Sequence, residues 1–522
     1  MAESEKRREA DPGARSDRTI VTAALMLAMA VAALEQTVVS TAMPTIVAAL
    51  KGFEIYPWVF SAYLLSSTVM TPIYGKLADL VGRKRVLLFG LGLFMLGSIL
   101  SGLARSMPQL IVMRVIQGLG AGAVGPIVLT MIGDLFTLQE RARVQGLFSF
   151  VWGGSSLVGP ALGGVLTDQL SWRWVFFVTV PFGLIAAWIL VRHVHETVEH
   201  REVKPIDWPG AILLAAGSAA LLLAALKGES GSLALTVGLL ALAVGLLVAF
   251  VRHERGAADP VLPLDLIASP HIAAALAGSF LIGALLFGID TYVPLFIQGV
   301  REGTATRAGR TITPLFLTWS LSVIVAAKIV VRLGFRRTAV VGSILLSAGA
   351  LCLALGAVRP ASSGPFFLAG MIVVGLGMGP TALSYILGVQ GAVEWGRRGA
   401  ATAAVIFFRT MGGALGVGVL GATLGLALAR RLAAAGGRGI DVTAALRPET
   451  HTLLTPDQLR AVQGALGRSL RDVFLQMLAM AVLAILCSIG LRGGRAVSHG
   501  QAELPPLDVD EAVTLAVGAD HD

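Results

Sequence analysis

The chain has 522 residues, 55% of them hydrophobic and only 14% charged. A soluble globular protein carries roughly 25% charged residues, so this composition excludes a water-facing surface of ordinary size and points to a polytopic, all-α membrane protein. The net charge of +9 does not point to nucleic acid, because the basic residues are scattered over short loops, as the positive-inside rule produces.

The first eighteen residues are polar and mixed in charge. They lack the short basic start and apolar core of a secretion signal, so the first apolar run is expected to be retained as a span. Fourteen spans are predicted, near 19–42, 55–80, 86–104, 108–134, 142–167, 173–192, 207–226, 232–251, 271–299, 308–330, 338–358, 365–388, 399–429 and 468–492. Runs of this length cross a ~30 Å hydrocarbon core. With the N-terminus in the cytoplasm, Arg83, Lys84, Arg85, Arg141, Arg143, Arg192, Arg336, Arg337, Arg397 and Arg398 fall in inner loops. The short outer loops hold fewer basic residues, so both termini are expected inside.

The first span runs from Ile20 to Leu34 without a charge and then meets Glu35, in "LEQTVVSTAMP". The second ends in "GKLADLVGRKR" (75–85). There Gly75 allows close packing, Asp79 sits at the helix end, Gly82 permits a tight turn, and Arg83, Lys84 and Arg85 anchor the loop. The fourth opens on "RVIQGLGAG" (114–122) and ends near Asp134. A cation as deep as Arg114 costs a few kcal/mol on insertion scales, so it should face the interior and be partnered. "GGSSLVGPALGG" (153–164), in the fifth, sets Gly159 and Gly163 in a GxxxG pattern beside Pro160 and Gly164. That pattern suits either close helix packing or a bend seam. Asp168, at its outer end, reads as a solvated acid.

Spans seven and eight form a pair bounded by Pro205, Pro209 and Pro260. The ninth carries Asp290, in "LLFGIDTYVPLF". The tenth ends in "AKIVVRLGFRR" (327–337), an internal repeat of 75–85 with Val331 in the place of Asp79. Repeats of this kind mark transporters built from two related halves. The expected division is an inner tail 1–18, a first half 19–192, an inserted pair with its loops 193–270, a second half 271–492 and an inner tail 493–522. Arg409, in "FFRTMGG", suits packing or the substrate path equally. Within the outer segment 430–467, Thr455 and Pro456 start a helix whose Leu459, Val462, Leu466, Leu470 and Phe474 share one face.

Glu35 and Asp290 are the deepest acids, one in each half. A desolvated carboxyl can be neutral at pH 7 and release its proton when water or a cationic ligand arrives. Either acid could instead be pinned to a neighbouring helix. Cys352 and Cys487 lie in apolar runs with no Cys/His cluster, and no phosphate-binding loop occurs. Neither a metal nor another cofactor is expected, nor ATP drive in this chain.

Taken together, the quoted motifs resemble those of the major facilitator superfamily. "LEQTVVSTAMP", "WRWVFFVTVPFG" (172–183), "YVPLFIQGV" (292–300) and "GAATAAVIFFRTMGGALGVGVLG" (399–421) resemble its fourteen-span drug:proton antiporter branch. That branch usually has Asp at Glu35 and Asn at Ser40. The resemblance implies a fold of two six-helix halves with two inserted helices. It implies proton coupling through Glu35, Asp290 and Arg114, with a structural role as the other reading of the arginine. It implies gating through Gly75, Asp79, Gly82, Arg83, Asp134, Gly159, Pro160, Gly163 and Gly164. Trp58, Phe60, Tyr63, Trp152, Tyr292 and Arg409 are candidate substrate contacts, although aromatic residues in spans usually only pack.

The expected function is proton-coupled efflux of amphipathic compounds, cations among them, across the cell membrane by alternating access in a monomer. The alternative is a dedicated exporter of one metabolite, antibiotic, lipid or siderophore. A membrane enzyme or sensor would require a catalytic constellation or a soluble domain, and the sequence contains neither. The partners are thus a small-molecule substrate, protons and the lipid bilayer.

Overall fold

The computed structural model describes residues 12–136, 138–194, 207–227, 233–257, 260–261, 264–358, 362–394, 398–434, 442–446 and 454–491. Fourteen long helices carry the described chain. They are α1 (Pro12–Leu50), α2 (Pro57–Val81), α3 (Arg83–Gly102), α4 (Met107–Leu135), α5 (Leu138–Gln169), α6 (Trp174–His193, with a one-residue irregularity at Val178) and α7 (Trp208–Lys227). Then follow α8 (Leu233–Glu254), α9 (Pro270–Gly299), α10 (Ala305–Leu333), α11 (Phe335–Val358), α12 (Ser363–Gln390), α13 (Arg398–Ala434) and α14 (Pro456–Ile489). Helices are what the composition demands, because lipid supplies no partners for backbone N–H and C=O groups and a helix satisfies them internally.

Eleven of these helices are long and apolar enough to cross a membrane, and α7 holds a shorter apolar stretch, Trp208–Ala224. Helices α2 and α5 have the length, at 25 and 32 residues. In α2 the apolar character is diluted by buried and half-buried hydroxyl residues, Ser61, Ser66, Thr68 and Thr71. The hydroxyls of Ser66, Thr68 and Thr71 donate to carbonyls one turn back, which keeps them satisfied in an apolar setting.

The packing repeats. In the first set α1 packs on α5 and α6, α2 on α4, and α3 on α4 and α6. In the second, α9 packs on α13 and α14, α10 on α12, and α11 on α12 and α14. The two sets are thus six-helix arrangements of one design. Helices α7 and α8 pack on each other, and α7 also touches α2 and α13. The repeat extends to the turns. Gly82, between α2 and α3, has φ 106°, and Gly334, between α10 and α11, has φ 82°. Both lie in backbone space that glycine enters without steric cost. Each N–H closes its helix on the carbonyl four residues back, Ala78 and Val330 respectively.

The predicted outer helix is the beginning of α14. The Thr455 hydroxyl accepts from the Gln458 N–H, and the Gln458 side chain accepts from the Thr455 N–H, a reciprocal cap. Val462, Leu466, Leu470 and Phe474 are all fully buried along one face, with Leu459 half-buried. Near it a single-turn helix, Val442–Leu446, lies against α1, α9 and α14.

We call the end of the bundle where α1 stops and α2 starts the distal end. Helix α14 ends at the opposite, proximal end, where the His271 ring bonds the Gly490 carbonyl at 2.8 Å.

Candidate functional site

Two helices bring charge into the centre of the first set, and a third, α2, supplies a carbonyl and a ring. Glu35 of α1 is fully buried, and Arg114 of α4 is 1% exposed. The Arg114 Nη1 donates to Glu35 Oε1 at 2.5 Å and to Gln117 Oε1 at 2.7 Å. Its Nε donates to the Val59 carbonyl of α2 at 3.2 Å. The guanidinium carbon stands 4.1 Å from the centroid of the Tyr63 ring and 5.9 Å from that of Phe176. Aromatic faces attract a cation most when water is absent. The predicted partner of Arg114 is therefore an acid, a glutamine, a carbonyl and two rings together.

Small residues make this approach possible. A Cβ at Gly118 would strike the Ser66 hydroxyl and the Tyr63 carbonyl, and one at Gly120 would strike the Phe94 backbone. Those glycines in "RVIQGLGAG" are what let α4 sink between α2 and α3. The site is not saturated. Among the described residues, Glu35 Oε2 and Gln117 Nε2 have no hydrogen-bond partner. A buried polar atom without a partner costs roughly 1–3 kcal/mol, so the carboxyl is built with one oxygen in reserve.

Asp290 of α9 is 4% exposed, and its Oδ1 likewise has no partner. Ser40 of α1 stands beside its carboxyl. Glu35 and Ser40 are five residues apart on one helix, so α1 turns Glu35 towards α4 and Ser40 towards α9. The structure thus sets the two deep acids on opposite sides of α1. The serine at the position where the branch usually has Asn is the one beside Asp290.

The two sets meet at the distal end. Gln298 of α9 donates to the Thr41 carbonyl at 2.9 Å, and its Oε1 accepts from Thr45 at 3.3 Å. The Ser61 hydroxyl donates to the Ala414 carbonyl at 2.7 Å. Pro57 of α2 abuts Gly421 of α13. On the other side a Cβ at Gly309 of α10 would collide with the Pro160 carbonyl of α5, and one at Gly164 would lie 2.6 Å from the Ala305 carbonyl. Gly159 and Gly163 face inward instead, against Thr37, Val38 and Thr41 of α1. Asp168 is exposed but is not merely solvated, which corrects the sequence reading. Its carboxylate accepts from the Ala305 and Thr306 N–H groups at 3.1 and 2.8 Å, capping α10 from across the seam.

Towards the proximal end, no atom of the described residues lies within 4 Å of a Cβ placed at Gly75 of α2 or at Gly399, an exposed position of α13. Lys84 donates to the Val191 and Val194 carbonyls at 2.9 and 2.6 Å, tying the α2–α3 turn to the end of α6. Asp79, Asp134 and Trp152 lie on α2, α4 and α5, but their side chains fall outside the described residues. Of the other aromatic candidates, Phe60, Tyr63 and Tyr292 are buried in this state and Trp58 is half-buried. The Tyr292 hydroxyl donates to the Val417 carbonyl at 2.6 Å, and its ring meets Tyr56 edge-on at 6.1 Å. Arg409 is half-buried on α13. Sequence reasoning passed over Gln117, Gln298 and Tyr56. The register of Gln117 three residues after Arg114, on the same helix face, was the one available signal.

Comparison with known proteins agrees with this architecture. The family model for the Major Facilitator Superfamily matches residues 25–417. The chain is 35% identical over 420 residues to the multidrug transporter protein MdtP of Bacillus subtilis, covering 79% of this chain and 76% of the relative. It is 34% identical over 401 residues to multidrug resistance protein 3 of the same organism, covering 76% and 78%. Among solved structures, it matches a bacterial homolog of the human lysosomal transporter Spinster, captured inward-facing and unoccupied. The TM-score is 0.66 at 14% identity, covering 91% of this chain and 98% of that one. A repeated six-helix design and a family match spanning most of its length place the chain in the major facilitator superfamily, as a multi-pass membrane transporter.

Proposed function

We propose that the protein exports amphipathic compounds from the cytoplasm in exchange for protons, with Glu35 as the residue that carries the proton. The observation that carries this reading is the buried Glu35–Arg114 pair with its unpartnered carboxylate oxygen. Removing one partner from a buried ion pair costs roughly 3–5 kcal/mol, because the other charge is left uncompensated. Opening the pair is therefore coupled to protonation of Glu35, and reforming it to proton release. Asp290, on the far side of α1, is the second titratable group on the same moving element. The names of the similar proteins support export of varied compounds.

The distal end is the extracellular side in this reading, and both termini are cytoplasmic. The distal seam through Gln298, Ser61, Gly309 and Asp168 closes the outer gate, and the space at Gly75 and Gly399 belongs to an open inner gate. Residues 19–192 and 271–492 are the two rocking halves, and α7 and α8 are the inserted pair. Gly82, Arg83, Asp79 and Asp134 at the inner loops, and Gly159, Pro160, Gly163 and Gly164 at the α5 seam, are the gating elements. A growth-inhibition panel of dyes, quaternary amines and antibiotics in an efflux-deficient host tests export. Protection from several unrelated compounds supports it, and protection from none counts against it.

Asp168→Ala should weaken the outer gate. Losing a helix cap costs about 1 kcal/mol, roughly fivefold in the balance between closed and open outer gate. A cysteine placed at Thr45 should then react about fivefold faster with a membrane-impermeant maleimide. An unchanged rate would remove Asp168 from the gate.

A further inference from the structure

We propose that the distal ends of α13 and α14 form a binding site for the headgroup of an anionic phospholipid. Helix α14 has two opposite faces. Leu466, Leu470, Val473, Met477 and Ala484 are fully buried, where the helix packs on α9, α11 and α13. Positions 468, 475, 482 and 486 each lie two residues from one of these, about 200° round a helix of 3.6 residues per turn. Leu475, Val482 and Leu486 are 46%, 47% and 62% exposed. Large apolar side chains left bare opposite the packed face form the lipid-facing side of α14. Counted along it from Ile489, also exposed, Arg471 stands ~27 Å and Arg468 ~32 Å towards the distal end. The hydrocarbon core is ~30 Å thick. The two arginines therefore reach the phosphate level of the distal leaflet, at the head of an apolar stripe.

The neighbouring helix adds to the charge. Arg430 and Arg431 lie in the last turns of α13. Arg431 donates to Asp472 at 2.6 Å and to Ser469 at 2.9 Å, which holds the two helix ends side by side. The Arg471 Nη2 stands 3.7 Å from the other oxygen of Asp472, so one aspartate brackets two arginines. The Arg471 Nε is buried and has no hydrogen-bond partner among the described residues. Arg430 and Arg468 are exposed. Helix α13 contains no acid, and the only other acid of α14, Asp457, is held by Arg460 at 2.8 Å. Arg430, Arg431, Arg468 and Arg471 thus outnumber Asp472 by three charges among the described residues. Basic residues near span ends are normally kept to the inner side. The distal end is the outer side in the export reading above, so this excess runs against the rule and calls for a counter-charge. A phospholipid fits both parts of the surface, with acyl chains along Leu475, Val482 and Leu486 and its phosphate among the guanidinium groups. Arginine holds phosphate oxygens through paired, charge-assisted bonds. A zwitterionic headgroup brings a cation of its own, whereas a net-negative one does not. Each basic residue near the surface adds about fivefold to the affinity for anionic lipid.

The test puts a bimane fluorophore on Leu475→Cys, one turn from Arg471, in full-length protein with Cys352 and Cys487 replaced by alanine. The protein is reconstituted in phosphatidylcholine vesicles. Quenching by doxyl-labelled phosphatidylglycerol is compared with quenching by phosphatidylcholine carrying the same label. The ratio of the two relative binding constants should be at least about fivefold in favour of phosphatidylglycerol. Arg468→Gln together with Arg471→Gln should bring that ratio close to one and leave quenching by phosphatidylcholine unchanged. Lysine at both positions should keep most of the preference. A ratio of one without these substitutions overturns the proposal, as does a preference that survives the paired Gln substitutions. Loss of the preference with lysine as well would show that packing rather than charge is being read, and overturns it too. If the paired Gln variant does not assemble, Arg468→Gln alone decides, because its side chain is exposed. A fall of at least about twofold in the ratio supports the site, and an unchanged ratio overturns it. The readout needs no transported compound, so a failure of the export reading leaves the binding result standing.

Discussion

Glu35→Gln should abolish proton-coupled transport. Glutamine keeps the length of the side chain and can still accept from Arg114, so the helices should assemble normally. It cannot take up or release a proton, and it leaves the Arg114 guanidinium, 1% exposed, without a counter-charge. Substrate-induced proton release from reconstituted protein should fall at least about a hundredfold, the scale of an interaction worth roughly 3 kcal/mol. Glu35→Asp should retain part of the activity, because only reach is lost. If Glu35 were instead a structural pin, the Gln variant would keep its hydrogen bonds and transport would survive. Wild-type rates in Glu35→Gln would move the proton to Asp290, whose Oδ1 is also unpartnered.

Much of this pair was legible in the sequence. A lone acid after fifteen uncharged residues and a lone arginine within an apolar helix each demand a partner. What the sequence could not supply was the rotational setting. These helices are apolar on nearly all sides, so periodicity does not say which face meets which neighbour. That is why Gln117 went unnoticed and why Ser40 was visible only as a departure from the usual Asn. The fold was more accessible. The repeat at 75–85 and 327–337 announced two related halves, and the glycines at its turns carry the same left-handed backbone in both copies. The start of α14 followed from Thr455, Pro456 and one apolar face. Asp168 misled because its acceptors' donors, the N–H groups of Ala305 and Thr306, are far away in sequence.

Gly309→Leu is expected to have the other large effect. At this position α10 touches the backbone of α5, and a Cβ would overlap the Pro160 carbonyl. Backbone cannot yield as a flexible side chain can, so the distal seam must open or the helices must shift. Overpacking of this kind costs roughly 1–3 kcal/mol, enough to shift the gate equilibrium by about fivefold to more than a hundredfold. The variant should reach the membrane yet transport slowly, with Thr45→Cys labelled rapidly from outside. Gly464→Ala, at a position with open space around it, is the control and should behave as the wild type. Slow labelling of Thr45→Cys in the Gly309→Leu background would show that the seam at Pro160 does not hold the outer gate.

The central claim is that transport and proton movement are one process. The most direct measurement reconstitutes the wild-type protein in vesicles with a pH-sensitive dye in the lumen, imposes a pH gradient and adds a substrate found in the growth panel. The account predicts that substrate addition moves protons in the opposite direction and that collapsing the gradient stops substrate accumulation. Accumulation that continues at full rate after the gradient is collapsed, with no substrate-induced change in lumen pH, would contradict it.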